Sequence, residues 1–150
     1  MLKQLFKQFQ QSSQTLTEHS LELATAALLV EVMHADHTVS VEEERALQRV
    51  LQQVLHLSLD ESERIMNDAK QSIAHAADLQ QFTRVVHQHF SHAQLFELVR
   101  GLWLVAYSDN GLDKYEEHMI RRIADLLHLR HSEFIKAKIS ARDEHDSQHR

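Results

Sequence analysis

Apolar residues recur along this chain at steps of three and four, the spacing of helices with one buried face. Leu2, Leu5, Phe6 and Phe9, with Lys3 and Lys7 between them, predict a short amphipathic helix. Gln10 to Gln14 is polar and reads as a linker. A second helix is expected from Thr17 to about Ala35. Its middle is apolar on more than one face, so a central position follows. Further helices are predicted from Val41 to about His56, from Ser58 or Asp60 to near Ala77, and from an Asp78 cap to Phe90. The next, His92 to Tyr107, is the most apolar of the chain. Two more are expected, from Lys114 to about His128 and from Ser132 to about Ala141. No stretch alternates as a convincing strand would. The expectation is an all-α fold, one compact domain of seven to eight helices, with an amphipathic helix and linker at 1–16, the helical domain at 17–142 and a polar tail at 143–150.

Two segments share a pattern. A shift of 73 positions places Asp36 on Asp109, Val39 on Leu112, Ser40 on Asp113, and Glu43-Glu44 on Glu116-Glu117. The apolar positions on either side also match, and with one gap Leu55-His56-Leu57 meets Leu127-His128-Leu129. The unit reads as helix, acidic loop, helix, short turn, helix. It predicts an internal duplication folded as one core with approximate two-fold symmetry.

The acidic segments admit two readings. Ser40-Val-Glu-Glu43 and Asp113-Lys-Tyr-Glu116 fit the capping box, in which the first side chain accepts a free N–H of the first turn and the glutamate reaches back. Negative charge there also suits the positive end of a helix. Asn110-Gly111 suits the end of the preceding helix. Capping does not require Asp36, Asp109, Glu44 or Glu117. A carboxylate at a helix C-terminus opposes the dipole unless something compensates it. A hard cation would do so, taken by Asp109, Asn110, Asp113, Glu116 and Glu117. Asp36, Ser40, Glu43 and Glu44 form a weaker copy. Calcium, magnesium or manganese is the class such oxygens suit, and the local spacing is not that of an EF-hand. Histidine spacings offer another chemistry. His34 with His37, or His87 with His89 and His92, would take zinc or nickel, but spacing alone is a weak signal and exposed helix surface is the favoured reading of them. Glu31-Val-Met-His34 has the spacing used in di-iron bundles, but the matched positions hold Leu104 and Tyr107, so that reading fails.

Composition narrows the choices. With 150 residues, 43% hydrophobic and 25% charged, the chain fits one globular domain. It has no proline and two glycines, which disfavours strands joined by tight turns. It has no cysteine, so disulfides and thiolate metal sites are excluded. No apolar run approaches the ~20 residues of a membrane span, and the first residues lack the features of a signal peptide. A cytoplasmic protein is expected, with peripheral attachment to the inner membrane as the variant. A net charge of −6 argues against nucleic acid as a partner. Protonating all 13 histidines would carry that charge to +7, so behaviour between about pH 5 and 7 should depend on pH. Nucleophile and phosphate-loop patterns are absent and no acid/base pair stands out, so no enzyme and no organic cofactor are expected.

Three stretches carry a resemblance: "ALLVEVMHADHTVSVEEERALQRVL", "QLFELVRGLWLVAYSDNGLDKYEEHMIRRIADLLHL" and "EFIKAKISA". Over roughly Glu18 to Ala141 the chain resembles the TerB-like family, the helical domain associated with bacterial tellurite resistance. The resemblance is greatest to its stand-alone branch. That resemblance implies a seven- or eight-helix duplicated fold. It also implies divalent-cation binding at acids that fall on Asp36, Asp109, Glu43, Glu44, Glu116 and Glu117, and work in membrane-linked stress complexes. His37-Thr38 departs from the pattern in the first loop. Two readings follow: a scaffold module that takes a cation and a protein partner, with Leu2, Leu5, Phe6 and Phe9 as the surface for partner or membrane; or an interaction domain whose acids only cap helices. A carboxylate-metal enzyme is a third.

Overall fold

A computed structural model describes residues 21–35, 39–74, 79–108 and 112–148. Seven helices and no strand occur among these residues. They are α1 (21–33), α2 (Val41–Leu55), α3 (Leu59–Ala74), α4 (Gln80–His89), α5 (His92–Tyr107), α6 (Lys114–Leu126) and α7 (His131–Gln148). The all-α expectation holds. The helix read over Leu2 to Phe9, and Asp78, lie outside the described residues.

The hydrophobic core is built around α1 and α5. Every residue from Ala24 to Val30 is buried. On α5, Leu95, Leu98, Val99, Gly101, Leu102, Trp103, Val105 and Ala106 are buried. Helices apolar on several faces must be covered on several faces, and α5 packs against α2, α6 and α7. Helix α2 also meets α3, and α4 meets α6. The approach of α5 to α2 depends on Gly101. A Cβ built there would lie 2.4 Å from Val50 Cγ1. Trp103 stacks on Tyr107 and tilts against Phe134, with centroids 6.0 and 5.3 Å away.

Helix boundaries follow local chemistry. Ser91 accepts the Gln94 N–H, and Gln94 returns the bond, a complete capping box ahead of α5. Helices α2 and α6 both end on a histidine in the left-handed region, His56 at φ 57° and His128 at φ 61°. Leu57 N–H reaches Gln52 O at 3.2 Å and Leu129 N–H reaches Ala124 O at 3.0 Å, the six-to-one bond of a Schellman turn. The last helix runs further than the expected Ala141, through most of the stretch read as a polar tail. Residues 141–148 contain no proline or glycine to stop it. Arg100 holds it from α5, donating to Ser140 Oγ at 2.8 Å and pairing with Glu144 at 3.2 Å. Tyr107 stacks on His145. Similarly, α4 begins after Leu79, with no side-chain cap on that residue.

Candidate functional site

The two acidic helix starts are built alike. Ahead of α2, the Ser40 hydroxyl accepts the Glu43 N–H at 3.1 Å. Glu43 Oε1 accepts from the Ser40 N–H at 3.4 Å, completing the expected capping box. Ahead of α6, Asp113 Oδ1 accepts the Tyr115 N–H at 2.6 Å. That cap engages the second residue of the helix, where the spacing had pointed to the third.

The glutamates divide into two kinds. Glu43 and Glu116, three residues into each start, are 0% and 1% exposed. Burying an ionised carboxylate is costly unless hydrogen bonds or a counter-charge compensate it. Both lie in the first turn, where helix N–H groups and the dipole favour negative charge. Glu44 and Glu117, one residue further, turn outward and meet lysines. Lys70 Nζ on α3 lies 3.0 Å from Glu44 Oε1, and Lys138 Nζ on α7 lies 3.2 Å from Glu117 Oε1. In each case the acid of one helix is tied to the helix that follows the Schellman turn. Lys138 also stands 5.1 Å over the Trp103 ring, so one ammonium touches both an acid of the site and the aromatic core.

The sequence-predicted residues therefore separate. Ser40 and Asp113 cap helices. Glu43 and Glu116 are buried. Glu44 and Glu117 are in ion pairs. Asp36, Asp109 and Asn110 lie outside the described residues, as do Leu2, Leu5, Phe6 and Phe9. Among the described residues, no three His, Asp or Glu side chains gather as a metal centre would need. Lys70 and Lys138 escaped sequence reasoning. Partners 26 and 21 residues away leave no local signal. The repeat offered no signal either, since its register after the gap sets Lys70 against Arg142 and Lys138 against Met66.

Elsewhere, burial raises the Glu31 carboxyl above the usual carboxylate range. Burial likewise raises the Tyr107 hydroxyl, with Arg142 acting in the opposite sense. Glu133 goes the other way. The His92 imidazole hydrogen-bonds its Oε2 and the Arg130 N–H its Oε1, holding its carboxyl below the ordinary value.

Residues 22–139, well over half of the chain, match the family model for tellurite resistance protein TerB. The chain belongs to the TerB family. No curated protein and no solved structure matches it. The TerB match spans α1 to the first half of α7, and so includes both acidic helix starts. No described helix of this TerB-family chain is long and apolar enough to cross a membrane.

Proposed function

We propose that this TerB-family protein is a non-enzymatic binding module of a tellurite-resistance-like stress system, using its acidic helix starts to take a divalent cation and its surface to hold a protein partner. One observation carries the reading. Each acidic loop leads into a helix whose third residue is a buried glutamate, Glu43 or Glu116. A hard cation at the loop would draw on Asp109, Asn110 and Asp113, with Glu116 next to it in the chain. Asp36, Ser40 and Glu43 form the second, weaker set. Water would complete the six to eight oxygens calcium requires, or the six of magnesium or manganese. Glu44 and Glu117 enter only by leaving their lysines. Leu2, Leu5, Phe6 and Phe9 supply the partner- or membrane-facing stripe in this reading.

A second reading has its own support. The Ser40 and Asp113 caps and the two lysine pairs are what an acid used only to fasten helices would make. In that case the domain binds a protein without any cation. Titration with calcium, magnesium and manganese, followed by backbone amide NMR, separates the two. Cation binding predicts saturable shifts around residues 109–116 that disappear in Asp109→Ala and weaken in Glu116→Gln. No shift at millimolar cation would leave helix fastening as the role of these acids.

A further inference from the structure

Where α4 ends and where α6 ends, two exposed histidine rings meet. The centroids of His87 and His128 are 4.9 Å apart and their planes cross at 76°. His128 is the left-handed residue of the second Schellman turn, so its backbone is fixed by Leu129 N–H to Ala124 O and His128 N–H to Asp125 O. His87 comes from the last turn of α4. The adjoining segments run side by side, since five residues further along each, His92 contacts Glu133. The two rings are thus presented from two anchored backbones.

We propose that His87 and His128 form a bidentate site for a borderline transition metal, with zinc, nickel or copper(II) as the class. Imidazole is the favoured ligand of these ions, and calcium or magnesium prefers oxygen. The spacing fits. A metal–nitrogen bond of about 2.0–2.1 Å, with a ring nitrogen about 1.2 Å from its centroid, puts each centroid about 3.2 Å from the ion. Two such rings lie about 4.5 Å apart at a right angle and about 5.2 Å apart at the tetrahedral angle. The observed 4.9 Å falls between them. A rotation about χ2 of each exposed ring brings one nitrogen of each onto the ion. Water fills the other positions, since no third His, Asp or Glu joins the pair among the described residues. This site is separate in ligand chemistry from the acidic helix starts. It ties α4 to the α6–α7 turn.

The alternative is edge-to-face contact between two neutral rings with no further role. Zinc titration of the full-length ¹⁵N-labelled protein distinguishes them, read on the histidine side-chain nitrogens and by calorimetry. The controls are His87→Gln, His128→Asn and the double variant. Asparagine tolerates the left-handed backbone at 128. Chelation predicts that ring nitrogens of His87 and His128 shift together within the first equivalent. Each single substitution then lowers first-site affinity at least tenfold, and the double variant falls little further, because the single imidazole left by either substitution binds no better than any other exposed histidine of the chain. First-equivalent shifts at other histidines, effects below twofold, or losses that simply add would overturn the proposal. If His128→Asn fails to fold, His87→Gln alone decides, because it alters only an exposed side chain.

Discussion

Gly101→Ala tests how closely α2 and α5 are packed. Gly101 lies in mid-helix, and its φ is not in the left-handed region. Alanine would therefore gain about 0.5–1 kcal/mol from backbone entropy if space allowed. Space does not allow it. The new methyl would lie 2.4 Å from Val50 Cγ1, with Val50 Cβ and Cγ2 both at 3.6 Å. Valine in a helix has one strongly preferred χ1, so that methyl cannot swing aside cheaply. Overpacking of this kind costs about 1–3 kcal/mol. The expected net loss is about 0.5–2 kcal/mol, and each kcal/mol is about 2–4 °C in Tm for a chain of this size. Urea unfolding followed by circular dichroism measures it. The decisive comparison repeats the substitution in Val50→Ala. There the obstructing methyl is gone, and Gly101→Ala should turn stabilising, with a coupling of about 1–3 kcal/mol. A stabilising Gly101→Ala in the native background, or an equal cost in both backgrounds, would refute the close approach.

Other substitutions address single contacts. Ser40→Ala removes the hydroxyl that accepts the Glu43 N–H and should cost about 0.5–2 kcal/mol in urea unfolding. Glu133, held below its ordinary value of 4.5, adds stability that is present above that pH and is lost as pH falls through the depressed folded value. His92→Ala removes the largest cause, so the Glu133 carboxyl, followed by ¹³C NMR titration, should climb back toward 4.5. Glu31 has the opposite sign. Its raised carboxyl favours the folded state at low pH and opposes it increasingly as pH rises through 4.5 and then the folded value. Glu31→Gln should therefore raise Tm at pH 7 and lose that advantage at pH 4. A variant equally stabilised at both values would contradict the burial argument.

Periodicity made the helices legible because each buries a stripe that local spacing records. Helix α5 stood out since it is covered on several sides, and α1 for the same reason. The Ser40 capping box was legible because its parts lie within four residues. What spacing could not show were relations across the chain: the lysines opposite Glu44 and Glu117, the valine opposite Gly101, and the histidine opposite His87. The sequence had grouped His87 with His89 and His92. Residues two apart on a helix do not face each other, and the ring that meets His87 lies beyond the end of α6. The length of α7 escaped for a related reason. Its last turns are polar, and Arg100 and Tyr107 hold them from another helix. Capping alone also gave no hint that Glu43 and Glu116 would be sealed from solvent, since a capping glutamate is usually exposed.

Lys138 gives the protein a built-in optical gauge. Trp103 is the single tryptophan of the chain and is fully buried, and its emission is set by a few fixed neighbours. One of them is an ammonium held over the ring while it pairs with Glu117. Anything that draws Glu117 away frees that ammonium to move and changes the field across the indole. Unlabelled protein can thus report events at the second acidic helix start through its own fluorescence, at micromolar concentration and in real time.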